Sequence, residues 1–298
     1  MSEPAISIRG LQKSFRHFTL GPLDLTVPTG AIYGLIGPNG VGKTTTIELM
    51  LGMGRNDAGT IRILGLDHVR DEAGLKQRIG YVSPDLNYQP WRTVSHVLRF
   101  HRGFYPDWDD EYCRNLLESL QVGGNEKTAN LSFGARIKLG LIVALSHRPT
   151  LLLLDEPTVG LDVISKQQIF AELLAAVENE DRTVLIASHA LGDIERFADH
   201  VGIMVNGKLL VEGATNDLVS RYRVVDFLAR DAFTPAGIAG LFVQECAANR
   251  WRVLMDIEGP ALEQVKVRGA TEIGASPVTL EDLFIGLVKG RSNVAASA

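Results

Sequence analysis

The chain has 298 residues, 45% of them hydrophobic and 22% charged, which is the balance of a globular protein with room for one full domain and a smaller one. A formal net charge of −5 gives no overall basic field for nucleic acid. Two cysteines, Cys113 and Cys246, are too few for a disulfide framework or a zinc cluster and read as reduced thiols of a cytosolic protein. The start, MSEPAISIRG, has no basic stretch followed by an apolar one, so no signal peptide is expected, and no run of about 18 apolar residues is available to span a membrane.

Residues 5–36 alternate short β-rich pieces (ISIRG, FTLGPLDLTV, AIYGLIG) with Gly and Pro, a strand-rich entry ending in a strand at Ile32–Ile36. A helical pattern follows over Thr44–Met53, then strands at TIRILG and RIGYV. From Thr93 to His147 the apolar spacing becomes helical (VSHVLRF, EYCRNLLESL, ARIKLGLIVALSH), so a helical segment is inserted at about 89–147. Strands return at LLLLD and TVLIAS, each followed by a helix, over Ile164–Val177 and Leu191–Phe197. Apolar strands alternating with helices predict a mostly parallel sheet buried on both faces. Asn206-Gly207, between VGIMV and KLLVEG, predicts a tight hairpin. Beyond Arg221 the pattern restarts with RVVDFLA, RWRVLMDI and a helix over Leu280–Val288. The expected division is a nucleotide cassette over 5–220, a small α+β appendix over 221–290 and a frayed tail over 291–298. No internal repeat is evident.

Gly37-Pro38-Asn39-Gly40-Val41-Gly42-Lys43-Thr44 fits G-x-x-x-x-G-K-[ST] between a predicted strand and a predicted helix, the context that makes it a P-loop. Glycines let backbone N–H groups approach phosphate oxygens with no Cβ in the way, and the helix start adds its positive end to the same site. Lys43 is expected to bridge the β- and γ-phosphates of ATP, the Thr44 hydroxyl to ligate Mg²⁺, and Thr45 to meet a phosphate. The apolar strand Leu151–Leu154 ends in Asp155 and Glu156, at the sheet edge where open α/β sheets bind ligands. Asp155 then holds Mg²⁺, directly or through water, and Glu156 acts as general base on the attacking water. His189 ends TVLIAS on the same edge and is expected to bond the γ-phosphate or the attacking water.

With these residues assembled, residues 5–215 resemble the ATP-binding subunit of ABC transporters. That likeness implies a P-loop core with an N-terminal antiparallel β subdomain and an inserted helical subdomain. Leu131-Ser132-Phe133-Gly134-Ala135 is similar to the family's LSGGQ signature; Ser132 and Gly134 match it, whereas Phe133 and Ala135 do not. In the family two cassettes pair head to tail, each signature capping the ATP of the other; Ser132 could equally be a simple helix cap. Val159-Gly160-Leu161-Asp162 resembles the D-loop, which puts Asp162 either at the cassette–cassette contact or at the start of the next helix. Phe15 matches the aromatic that stacks on adenine, or belongs to the core. After RIGYV the expected Q-loop glutamine is replaced by Pro84, leaving Asp85 either as a substitute metal ligand or as a solvated turn residue. Asp107, Asp109 and Asp110 read as a helix-start cluster.

The resemblance extends to the ABC-2 branch of exporters, whose permease is a separate chain. The SPD sequence at Ser83-Pro84-Asp85 and the FYPDWD stretch are similar to a bacterial subgroup associated with antibiotic or peptide efflux. The implied partners are a second cassette and an integral-membrane permease, with no nucleic acid, and the implied place is the inner face of the cell membrane. The competing reading is a soluble ABC ATPase acting on ribosomes or nucleic acid. Tandem cassettes or coiled-coil insertions would mark that class, and this sequence has neither.

Overall fold

The computed structural model describes residues 3–180, 182–229, 233–247 and 249–295. The chain divides into two compact units, Met1–Ala190 with Phe197–Glu212, and Leu191–Arg196 with Gly213–Ala298.

The first unit begins with β1 (Ile6–Ser14) and β2 (Thr19–Val27), an antiparallel pair. Next come β3 (Ile32–Ile36), α1 (Lys43–Met50), β4 (Ala58–Ile63) and β5 (Leu66–Asp67). β4 returns to pair antiparallel with β1, giving a four-stranded sheet in the order β2-β1-β4-β5. Alternation puts Ile6, Ile8, Leu23, Leu25, Ile61 and Ile63 on its buried face.

α2 (Glu72–Arg78) leads into β6 (Ile79–Val82). The inserted helices are α3 (Val94–Arg102), α4 (Asp110–Ser119) and α5 (Phe133–Ser146). The α5 helix is apolar nearly all round and buried from Leu139 to Ser146, as a helix packed on several sides must be. After it come β7 (Leu151–Asp155), α6 (Val163–Glu180), β8 (Thr183–Ser188), α7 (Leu191–Phe197), β9 (His200–Val205) and β10 (Lys208–Ala214). Six strands form the second sheet in the order β10-β9-β3-β8-β7-β6, and β9, β3, β8, β7 and β6 run parallel. Every residue of β3, β7 and β8 is buried, so these strands read as unbroken apolar runs. Asn206 (φ 49°) and Gly207 (φ 75°) make the turn between β9 and β10 with the two positive φ values of a tight hairpin.

The second unit contains most of α7 together with α8 (Thr215–Arg221), β11 (Tyr222–Leu228), β12 (Leu241–Ala247), β13 (Arg250–Asp256), α9 (Ala261–Val267), β14 (Thr271–Pro277) and α10 (Leu280–Ala295). Its antiparallel sheet has the order β12-β13-β11-β14. Val225, Phe227, Val253 and Met255 form a core with Ala261 and Val265 of α9. No helix among the described residues is long and apolar enough to cross a membrane.

Three details differ from the sequence expectations. The helix expected to reach Met53 stops at Met50: Gly52 takes φ 70°, and the Gly52 and Met53 N–H groups bond back to Leu49 and Glu48 carbonyls, a glycine-closed helix end. The last helix runs past Val288 to Ala295, through residues 291–295 of the expected tail, while 296–298 lie outside the described residues. The appendix also holds β12, α9 and β14, which the sequence reading did not place.

Candidate nucleotide site

β3 delivers the chain to the Gly37–Thr44 loop at the carboxyl edge of the parallel sheet, and α1 opens at Lys43. Gly42 sits at φ 108°, and a Cβ there would lie 2.8 Å from Leu20 Cδ1 and 3.0 Å from Phe18 Cζ; Gly40, at φ 78°, faces open space. The first turn of α1 has no side-chain cap, so its leading N–H groups are available to an anion. Thr46 turns inward, its hydroxyl donating to the Gly42 carbonyl at 2.8 Å. Pro38, Asn39 and Gly40 are exposed at the tip, and Val41 is buried beneath.

Lys43 is only 5% exposed; its Nζ donates to the carbonyls of Gly37 (2.8 Å) and Pro38 (3.3 Å) and lies 3.4 Å from Glu156 Oε1. β7 ends alongside at Asp155, which is 3% exposed. Burial holds its carboxyl above the usual carboxylate range, against a hydrogen bond from Thr44 that lowers it. Its Oδ1 is buried with no hydrogen-bond partner among the described residues. An orphaned carboxylate oxygen beside a threonine hydroxyl suits Mg²⁺, which takes one or two protein oxygens and keeps the rest of its shell for water and phosphate. The donor set therefore fits the metal.

Glu156 adopts φ 47°, an uncommon conformation for a residue with a side chain. Its N–H donates to the Ala187 carbonyl of β8 at 2.8 Å, tying the end of β7 to its neighbour. Its carboxylate accepts from the Ser188 hydroxyl (3.3 Å) and the His189 N–H (3.4 Å) and meets His189 Nδ1 at 2.9 Å. A His189 ring with its proton on Nδ1 has Nε2 as its second nitrogen, an acceptor. A pocket of about 300 Å³ is lined by Asn39, Gly40, Gly42, Lys43, Thr44, Thr45, Glu156 and Phe18. Phe18 was not singled out in the sequence. Phe15 stands outside this lining, 49% exposed, its ring stacked 6.3 Å from that of Phe18.

Ser132 caps α5, its Oγ accepting from Ala135 N–H at 3.1 Å. The turn packs on the loop after β7: Gly160 has the Phe133 ring within 3.6 Å of its Cβ position, and Gly134 has Leu161 Cδ2 at 3.0 Å. Arg136 lies over the Phe133 ring at 5.7 Å. Asp162 caps α6, accepting from the Ser165 N–H (2.9 Å) and hydroxyl (2.7 Å), and these hydrogen bonds hold its carboxyl below the usual range. Ser132, Phe133, Gly134 and Asp162 line one depression of about 420 Å³, which shares no residue with the phosphate-loop pocket. Asp85 is exposed in the turn that follows β6, its N–H on the Ser83 hydroxyl at 3.3 Å, and lines neither pocket. Among the described residues no cluster of three or more His, Cys, Asp or Glu could hold a metal by itself.

A parallel sheet carrying a strand–glycine loop–helix at its carboxyl edge, with an acid pair at the end of β7, one strand removed from β3, defines a P-loop nucleotide-binding protein. Residues 20–159 match the family model for the ABC transporter. The chain is 30% identical over 293 residues to the Nod factor export ATP-binding protein I of Burkholderia lata, covering 95% of this chain and 96% of that one. It is 34% identical to the bacitracin transport ATP-binding protein BcrA of Bacillus licheniformis, covering 72% and 69%. A solved ATP-binding subunit of an ABC transporter superposes with a TM-score of 0.66 at 25% identity, over 72% of this chain and 92% of that one. The chain belongs to the ABC transporter family, among its ATP-binding proteins.

Proposed function

We propose that this chain is the ATP-hydrolysing subunit of a membrane exporter, and that it works as a pair of cassettes attached to a separate permease at the inner face of the membrane. The observation that carries the reading is the convergence of Lys43, Thr44, Asp155, Glu156 and His189 on one sheet edge, with partnered side chains in all but one direction: the buried, orphaned Oδ1 of Asp155.

In this reading the loop N–H groups and Lys43 bind the phosphates of ATP, and the pocket lined by Phe18 lies towards the nucleoside, with Phe15 stacked behind it. Thr44 and Asp155 would hold Mg²⁺, which supplies charge neutralisation on the β- and γ-phosphate oxygens. Glu156 takes the proton of the attacking water, and His189 keeps its carboxylate aimed while offering its second ring nitrogen to the water or the γ-phosphate. Ser132 and the N–H groups at the start of α5 cap the ATP of the other cassette, with Asp162 close to that contact. Two pockets with no residue in common support this division. Asp85 is exposed and lines neither the phosphate-loop pocket nor the signature depression, which supports reading it as a turn residue and the loop with Pro84 as a coupling element.

Relatives named for bacitracin transport, linearmycin resistance and Nod factor export favour an exporter, in keeping with efflux of antibiotics or peptides. None of these names points to ribosomes or nucleic acid.

Titration with MgATP tests the assignment. Lys43→Ala should bind ATP more weakly by about two orders of magnitude, because a buried cation is removed from a phosphate site. An unchanged affinity, with the fold intact by circular dichroism, would remove the phosphate loop from its role.

A further inference from the structure

To take a proton from water, the Glu156 carboxylate must stop turning and keep one oxygen towards the phosphate loop. Its backbone is already fixed, at φ 47° with its N–H on the Ala187 carbonyl at 2.8 Å. Its side chain meets four donors, and these divide between the two oxygens. Oε1 faces His189 Nδ1 at 2.9 Å and Lys43 Nζ at 3.4 Å. Oε2 faces the Ser188 hydroxyl at 3.3 Å and the His189 N–H at 3.4 Å. One oxygen is therefore on the side of Lys43, which lines the phosphate-loop pocket, and the other is turned to the end of β8.

The strand pairing puts Ser188 there. β7 and β8 run parallel with Asp155 in register with Ala187, so one residue further on Glu156 and Ser188 leave the sheet edge side by side. Ser188 is 1% exposed. Its hydroxyl oxygen accepts from the Ala190 N–H at 3.0 Å, a local bond that ties it to the turn leaving the strand. A hydroxyl has one proton to donate, and an ionised carboxylate only accepts. With its oxygen engaged by Ala190, the Ser188 proton is left for Glu156 Oε2, which lies within reach. A hydroxyl buried to this degree costs free energy unless its proton finds an acceptor, so strand end and acid hold each other in place. His189 grips the same carboxylate from a ring that is 46% exposed and free to swing, whereas Ser188 is set in the strand.

We propose that Ser188 is a positioning residue for ATP hydrolysis: its hydroxyl anchors Oε2 of Glu156 to the end of β8 and leaves Oε1 as the oxygen that receives the proton of the attacking water. The proposal rests on reading the chain as an ATPase with Glu156 as its general base. Water gives its proton to Oε1 as its oxygen bonds the γ-phosphorus, and the bond from that phosphorus to the bridging oxygen breaks, leaving ADP and phosphate. Ser188 keeps its own proton throughout and acts through Glu156. Its loss should therefore slow turnover and leave nucleotide binding alone.

The test uses the full chain with three substitutions at this position. Ser188→Ala removes the hydroxyl, Ser188→Cys keeps a similar shape but donates weakly, and Ser188→Thr keeps the hydroxyl. Steady-state ATPase rates, MgATP affinity and thermal melts are read on the same samples. Ser188→Ala and Ser188→Cys should lower kcat about tenfold, with KM and MgATP affinity within about twofold of the wild type. Ser188→Thr should hold kcat within about threefold of the wild type, because a hydrogen-bond donor remains. A wild-type kcat in the alanine or cysteine variant, a folded threonine variant as slow as alanine, or an equal loss of kcat and MgATP affinity would overturn the proposal. Should the extra methyl of threonine unfold the chain, the alanine and cysteine variants decide it. Normal hydrolysis by the wild type beside unaffected variants removes Ser188 alone. A wild type that hydrolyses no ATP, or a Glu156→Gln variant that turns over at the wild-type rate, removes the ATPase reading beneath it.

Discussion

Glu156 and His189 carry opposite kinds of order. Glu156 holds a left-handed backbone, at a cost of about 1–3 kcal/mol, offset by its N–H bond to Ala187 and the three contacts to its carboxylate. His189 is 46% exposed and depends on Glu156 for its orientation. A second histidine tells more about stability than about chemistry. His147 is 2% exposed and stacked on Tyr105 at 3.9 Å, and burial lowers its pKa from the ordinary 6.5 to about 4. The unfolded chain therefore binds one more proton than the folded chain between about pH 4 and 6.5, so stability rises with pH through that window. The contribution is roughly 3 kcal/mol, fully present above 6.5 and lost as pH falls to 4. Denaturant melts at pH 5 and pH 7 should differ by less in His147→Gln than in the wild type; an identical pH dependence would contradict this account. At the same scale, Lys43, Asp155 and Glu156 could be read directly from the sequence because phosphate chemistry leaves few substitutes. Phe18 could not, since an aromatic at the start of a strand has the same signature whether it faces a core or a ligand.

The phosphate loop is the element whose sequence and geometry agree most closely, and its glycines are not equivalent. Gly40→Ala meets open space and bears only the left-handed penalty, about 1–2 kcal/mol. Gly42→Ala bears the same penalty and also drives a methyl against Phe18 and Leu20, so it should destabilise the chain more and weaken MgATP further. Thermal melts and ATP titrations of the two variants check the order, and equal losses would contradict it. The helices and strands of the cassette were legible because each has a strong period or is a continuous apolar run. In the second unit that signal fades. The β14 sequence TEIGASP has a single aliphatic side chain longer than alanine, Ile273, and becomes a strand only by pairing with β11. β12 packs Leu241 and Val243 against the α9 side and has α10 against it as well, so no clean alternation survives. In the first unit α2 is an exception, burying only Leu75, too little for a helical period to show.

On the scale of the whole cassette, the decisive feature is the separation of two pockets. Ser132, Gly134 and Asp162 line one depression, Lys43, Thr44 and Glu156 another, and no residue belongs to both. Phe133 strengthens the first as a unit by packing on Gly160, which explains how a large ring is accommodated where the family signature has glycine. If each ATP is closed in by the loop of one copy and the signature of another, turnover requires two chains. Sedimentation of Glu156→Gln with MgATP is the most direct measurement. The account predicts a stable dimer holding two ATP molecules, no appreciable hydrolysis, and a return to monomer when Ser132→Arg is added. A variant that stays monomeric with ATP bound, or that hydrolyses ATP at the wild-type rate, would contradict it.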